Sequence, residues 1–190
     1  MRRTIIIVLA ILFGLSSLIV LAESQKRTET IMLEGMDEEI ETTRIESDRG
    51  YAIWLDTSMF ELLPEGEGAG YDQYAPIGAG YGSPVRLCIH GWSAPDYTVD
   101  DALRDTMTTL AENGYQTYEF ELAEGFLESY EVRGAYGIKD DELHVVYYLI
   151  GTENGIYYAS IEYPMEAAEG SAARLMRAMA SFEAVPMDEE

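Results

Sequence analysis

The sequence is poor in the residues that nucleophilic and metal-dependent enzymes rely on. Cys88 is its one cysteine in 190 residues, so no internal disulfide can form and packing alone must hold the chain. Only two histidines occur, His90 and His144. Basic residues number 12 against 35 carboxylates, for a formal net charge of −23. Arg44, Arg49, Arg86, Arg104, Arg133 and Arg174 are scattered singly among acids, whereas a phosphate backbone calls for a clustered basic face, so nucleic acid is excluded as a partner. A soluble acidic surface that resists association accounts for this charge without a cationic ligand.

The stretch RLCIHGWS, residues 86–93, looks like a strand leading into the oxyanion loop of an α/β-hydrolase. That chemistry needs a Gly-x-Ser-x-Gly elbow on a strand-to-helix turn, followed by an acid and a late histidine. The chain contains no such elbow, and His144 opens an apolar strand instead of lying in a late loop. His90-Gly91 therefore reads as a strand end followed by a turn. A metal site fares little better. Cys88 and His90, two apart on a strand, share a face, but Arg86 shares it too and opposes a cation. His144 could supply a third ligand only if its strand were adjacent and in register. Calcium-loop spacing is missing, and among so many acids a suitably spaced carboxylate pair is expected by chance. No catalytic residue and no cofactor is expected, and Cys88, His90 and His144 are the only metal candidates.

What is present begins with Arg2 and Arg3 ahead of an uncharged, mainly apolar run from Thr4 to Ala22. This is an export signal, and Val20-Leu21-Ala22 followed by Glu23 suits cleavage after Ala22. The run is also about as long as the shortest bilayer spans, so an uncleaved anchor stays open as the second reading. Both readings put residues 23–190 outside the cytoplasm, and the membrane is involved only through residues 4–22. Residues 23–39 read as a polar lead-in with a short strand at Thr30 to Leu33, ahead of one domain over 40–186.

Within that domain, Thr42 to Glu46 and Tyr51 to Leu55 form a hairpin around Ser47-Asp48-Arg49-Gly50. Thr57 to Leu63 suits a short helix ending before Pro64. Residues 64–84, PEGEGAGYDQYAPIGAGYGSP, hold six glycines, three prolines and three tyrosines without helical or strand period. Such a long loop is usually functional or disordered; with no lysine and with Glu65, Glu67 and Asp72 it is unsuited to phosphate. Residues 85–91 make a strand whose Cys88 is buried and inert. A helix follows, capped by Thr98, with Asp100 and Asp101 in its first turn and Asn113-Gly114 at its end. Alternation at Tyr118, Phe120 and Leu122 marks a strand with one wet face. A further strand covers Tyr130 to Ile138, with Gly134 and Gly137 as bulges or bends. Leu143 to Ile150 and Ile156 to Tyr163 pair through Asn154-Gly155. A helix from Met165 to Phe182, weakened by Gly170, closes the chain.

Tyr71, Tyr74, Tyr81, Trp92 and Tyr97 bracket the 64–84 loop and the end of the 85–91 strand. They suit a ligand or partner surface, since Tyr and Trp bring rigid amphipathic area to interfaces; the competing reading is that several merely cover the sheet.

The strand GYAIWLD with the short turn after it, the late strands HVVYYLIGTENGIYYASIEYP, and the terminal ARLMRAMASFEAV resemble the PsbP-like α/β/α sandwich of small exported bacterial proteins and photosystem II extrinsic proteins. The resemblance implies an antiparallel sheet of six or so strands between helices, usually without catalytic activity, and it brings no site residues with it. The Gly-rich stretch departs from that pattern. The expectation is an α+β domain with a mainly antiparallel sheet flanked by helices: an exported, acidic, non-catalytic binding or accessory domain for an unidentified protein or small ligand. The alternatives are a membrane-anchored sensor domain and, from another class, a metal-dependent or hydrolytic enzyme.

Overall fold

The computed structural model describes residues 25–33, 35–64, 70–94 and 96–186. The export-signal reading at residues 1–22 lies outside them. Strand β1 (Lys26–Leu33) pairs with β2 (Met36–Ser47), which turns into β3 (Tyr51–Leu55) and is followed by β4 (Phe60–Leu62), β5 (Asp72–Pro76) and β6 (Arg86–Trp92). Helix α1 (Val99–Glu112) leads to β7 (Gln116–Phe120), β8 (Glu131–Lys139), β9 (Leu143–Thr152) and β10 (Gly155–Pro164). A 3₁₀ turn (Met165–Ala167), a π turn (Ala168–Ala172), helix α2 (Ala173–Met179) and the short β11 (Glu183–Ala184) complete the described chain.

Every strand pairing is antiparallel, and the strands make two sheets. One runs β1-β2-β3-β11 and the other β4-β5-β6-β10-β9-β8-β7. The architecture is thus α+β and mainly antiparallel, with seven strands in the large sheet and a second, smaller sheet beside it. One face of the large sheet packs, through residues such as Leu87, Tyr148 and Ile161, on Ile53 of β3 and on Leu175 and Met179 of α2. The opposite face takes α1, whose Val99 and Ala102 bury against Leu149 and Ile156.

Within the expected lead-in, residues 26–33 and 36–39 are paired strand, because β1 and the start of β2 form a hairpin whose Ile31, Leu33 and Ile40 cluster together beside Ala173. Exposed acids between these positions obscured the alternation. Thr57 to Leu63 is a turn and strand β4, not a helix, since Asp56 Oδ1 accepts hydrogen bonds from the Ser58 backbone and hydroxyl, at 3.1 and 2.6 Å, and sets the turn. The 64–84 stretch is no continuous loop, because β5 sits inside it, paired to β4 and β6. The β7–β8–β9 register runs without interruption, so Gly134 and Gly137 are not bulges. A Cβ at Gly134 would lie 2.6 Å from the Phe120 ring, and the glycine makes room for that ring to cross toward Tyr148. Of the predicted terminal helix only Ala173–Met179 is α-helical, after a 3₁₀ turn and a π turn that contains Gly170. Helix α1 has the expected cap, a reciprocal pair of hydrogen bonds between Thr98 and Asp101.

Buried polar groups tie the two sheets. Asp72 of β5 accepts hydrogen bonds from Tyr51 Oη of β3 at 2.6 Å, from Ser47 Oγ at 2.5 Å and from Arg49 Nε at 3.1 Å. Tyr51 and Tyr74 join hydroxyls at 2.9 Å, and Tyr157 Oη donates to the carbonyls of Arg49 and Gly50. Helix α2 is held to the small sheet by charge. Arg174 reaches Asp56 and Glu38 at 2.6 Å each, and Arg177 reaches the buried Glu29, which also accepts from Arg27 and Thr42.

Two outcomes follow. Asp72→Ala strips a buried acceptor from three donors and is expected to cost about 2–4 kcal/mol in urea unfolding with an unchanged slope; a midpoint equal to that of the wild type would refute this account. Burial pushes the Glu29 carboxyl up, but the hydrogen bonds and charges of Arg177 and Arg27 outweigh it and hold it below the usual 4.5. That stabilisation is complete above pH 4.5 and is lost as pH falls through the lower folded value. Melting temperatures between pH 3 and 6 should therefore fall less steeply in Arg177→Leu than in the wild type.

Candidate functional site

Helix α1 packs over β7, β8 and β9 and leaves β6 and the adjoining part of β10 uncovered on the outer face. It is seated there by Gly151, where a Cβ would meet Val99 Cγ2 at 2.7 Å. The uncovered strip is a groove. Its floor follows from the strand period and register: Arg86, Cys88, His90 and Trp92 share one face of β6, while Leu87 and Ile89 enter the core. Glu162, Ser160, Tyr158 and Ile156 of β10 lie directly opposite these four. Gln73 of β5 pairs with Cys88 from the other side, and Tyr147 of β9 pairs with Ser160. A row of four side chains, Gln73, Cys88, Ser160 and Tyr147, thus crosses the sheet.

The walls come from the two segments that bracket the strand. On one side, residues 77–84 fold through two turns, closed by Ala79 N–H to Pro76 O at 2.9 Å and Ser83 N–H to Gly80 O at 3.2 Å. Gly78 and Gly80 adopt φ of +78° and +67°, a region that favours glycine, and this brings Tyr81 over the floor beside Tyr71. On the other side, Tyr97 precedes α1 and donates to Asp105 at 2.7 Å while accepting from Tyr158 Oη at 3.0 Å. Tyr158 in turn stacks on His90, with ring centres 4.8 Å apart and planes 8° from parallel. Two adjoining hollows share His90 and Tyr158, one of about 330 Å³ toward Tyr71 and Tyr81, the other of about 410 Å³ toward Trp92 and Tyr97. A larger hollow of about 810 Å³ lies at the β9–β10 hairpin and the α1 N-terminus, where Tyr97, Tyr130, Glu131, Glu153 and Asn154 are among the lining residues.

The ionisable groups of the groove are arranged so that its floor carries no net charge at neutral pH. Arg86 and Glu162 neutralise each other at 2.7 Å. Burial lowers the guanidinium's proton affinity, yet its hydrogen bond and attraction to Glu162 leave Arg86 above the ordinary arginine value. Burial, then the charge of Arg49, hold His90 below its usual 6.5, which favours the neutral imidazole. Burial pushes the Cys88 thiol up to about 11 and raises the Tyr147 and Tyr158 phenols. Cys88 is thus half-buried and protonated, a poor nucleophile and a poor metal ligand at pH 7.

Of the predicted surface aromatics, Tyr71, Tyr81, Trp92 and Tyr97 line this strip, and Trp92 is 55% exposed. Tyr74 does not. It alternates with Gln73, faces the core and is fully buried against Tyr51. The metal trio is not assembled either: His144 lies on the opposite face of the large sheet, stacked on Tyr163 and bonded through Nδ1 to Tyr136. Among the described residues no group of three or more His, Cys, Asp or Glu is placed to hold a metal ion. Tyr147, Tyr158, Ser160, Glu162 and Gln73 were missed. Period-two alternation within β10 marks Tyr158, Ser160 and Glu162 as one face, but only the register puts that face beside Cys88 and His90.

No family model and no curated protein matches the chain. Among solved structures it is similar to the solution structure of cyanobacterial PsbP (CyanoP) from Synechocystis sp. PCC 6803, with a TM-score of 0.52 and 13% identity over 75% of this chain and 92% of that one. The fold is PsbP-like. A crystal structure from Bacteroides thetaiotaomicron VPI-5482 overlaps with a TM-score of 0.46 and 14% identity, over 77% of this chain and 49% of that one. At such identity the PsbP-like likeness carries the backbone course and no side-chain role.

Iodoacetamide should alkylate Cys88 slowly at pH 8, and the rate should climb about tenfold per pH unit toward pH 11, where an ordinary thiol has long levelled off. A plateau near pH 9 would show the thiol to be unperturbed.

Proposed function

We propose that this chain is an exported, acidic binding or accessory domain with no catalytic role of its own, and that it engages its partner through the outer-face groove. The observation that carries this reading is the convergence of Tyr71, Tyr81, Trp92 and Tyr97 from separate segments onto a floor of paired or uncharged polar groups. Exposed aromatic rings beside satisfied hydrogen bonds suit recognition, because the rings offer rigid apolar area at small entropic cost. A reacting centre needs instead an activated nucleophile, and Cys88 is held as the neutral thiol. The PsbP-like backbone supports an accessory role by analogy.

The leader places the domain outside the cytoplasm in this reading, as a released protein if cleavage follows Ala22. The reading of a membrane-anchored sensor rests on the apolar run from Thr4 to Ala22 and differs in mass: the intact exported protein then begins at Met1 instead of Glu23.

Combining Tyr71→Ala, Tyr81→Ala and Trp92→Ala should abolish co-purification of the partner while moving the melting temperature by no more than about 2 °C, since all three rings are at least partly exposed. Tyr74→Ala should instead cost about 3–5 kcal/mol as a core deletion. Undiminished co-purification with the triple variant would remove the groove from the function.

A further inference from the structure

The groove's length, surface and charge together restrict what can lie in it. Four same-face positions of β6, from Arg86 to Trp92, span roughly 20 Å at about 6.8 Å per pair of residues. The two hollows along that line are open and each sits near the lower end of the about 300–1,000 Å³ of compact ligand pockets. An elongated, segmented ligand fits this strip better than one compact molecule.

Charge narrows the choice. The chain carries −23, so its field repels anions before contact. Inside the groove Glu162 is neutralised by Arg86, and Asp105, which accepts from the Tyr97 hydroxyl and keeps its charge, is a single anionic point on the wall at the Tyr97 end, so a ligand charged along its length meets no matching row of charges. Backbone chemistry narrows it further. β10 is paired on both sides, and β6 is paired to β10 along its length and to β5 at Leu87–Ile89, so among the described residues an extended peptide finds only the three-residue His90–Trp92 edge to join, too short to hold a strand along the groove. Flat rings remain, with hydrogen-bonding groups between them. The His90–Tyr158 stack is fixed by the Tyr158–Tyr97–Asp105 chain of hydroxyl bonds; Trp92 lies beyond it, and Tyr71 and Tyr81 stand at the other end. Between the rings are the Gln73 amide, the Ser160 hydroxyl and the Arg86–Glu162 pair.

We infer that the groove binds an uncharged oligosaccharide, its sugar rings laid against Trp92 and the tyrosines and its hydroxyls exchanging hydrogen bonds with Gln73, Ser160 and the Arg86–Glu162 pair. Sugar rings carry apolar C–H faces that pack on aromatic rings and a rim of hydroxyls that needs both donors and acceptors. This inference rests on the groove being the functional surface and names the class of its ligand.

The test is calorimetric titration of the exported protein with neutral hexasaccharides of glucose, N-acetylglucosamine, mannose, galactose and xylose, beside oligogalacturonate and a proline-rich peptide. At least one neutral hexasaccharide should saturate the protein at a 1:1 ratio with half-saturation below about 1 mM. Trp92→Ala should weaken it at least tenfold while the melting temperature holds, and oligogalacturonate should bind at least tenfold more weakly. Failure of every neutral sugar overturns the inference, as does binding that Trp92→Ala combined with Tyr81→Ala leaves unchanged. If the proline-rich peptide binds and the same variant removes it, the sugar assignment falls while the groove stands as the site. If no probe binds and the variant still retains its co-purifying partner, the groove reading itself falls.

Discussion

A buried carboxylate, Asp72, is the constraint on which the two-sheet arrangement depends. Its oxygens gather Ser47, Arg49 and Tyr51, all from the β2–β3 hairpin, onto a strand of the large sheet. A buried acceptor of this kind contributes little net free energy when satisfied, but removing it strands several donors away from water. The network therefore acts chiefly as a locator. It fixes where the small sheet sits, and so which face of the large sheet is given to the core and which is left for α1 and the groove.

The outer face is divided by equally local causes. Gly151 lets the first turn of α1 approach β9 closely, and Leu149 and Ile156 complete that seat. With α1 placed over β7 to β9, the β5–β6–β10 side remains open. Tyr97 and Tyr71, with the 77–84 turns, border it without filling it. The groove is thus the unclaimed part of a sheet whose other surfaces are committed to packing, and its polar floor follows. Arg86, Cys88 and His90 alternate with Leu87 and Ile89 as a half-wet strand requires, and β10 supplies Glu162, Ser160 and Tyr158 in register.

Features whose causes lie within a few residues were legible in the sequence. The Thr98 cap, the Asp101 side chain that returns to it and the Asn113-Gly114 end are one-turn effects, and Asn154-Gly155 closes its hairpin through local turn preference. The common face of Cys88 and His90 needed only the strand period. Features stabilised from a distance were not legible. β5 reads as loop because Asp72 and Gln73 are polar; the burial of Asp72 is intelligible only once Tyr51, from a different sheet, is known to lie beside it, and that of Gln73 only once β5 is known to pair with Cys88. Tyr74 reads as a surface residue with its neighbours for the same reason, although it faces the core. Gly134 suggested a bulge, since nothing nearby in sequence reveals that Phe120, fourteen residues earlier, needs its space. Half of the groove's floor comes from β10 and β9, whose contribution depends on register.

The contrast between shell and groove bears on how recognition can work in this chain. A surface with a formal excess of 23 negative charges keeps copies apart and turns away polyanions. Such a field is indifferent to a neutral ligand, so selectivity must come from short-range contacts within the groove. Those contacts are prepared in advance: His90 and Tyr158 are stacked, Tyr158 is tied to Tyr97, and Arg86 is tied to Glu162, so little rotamer freedom remains to be lost on binding. Trp92 is the exception, more than half exposed. A pre-set, charge-balanced floor beside one open ring suits a neutral ligand built of repeating units, each of which meets a ring or a polar group in turn.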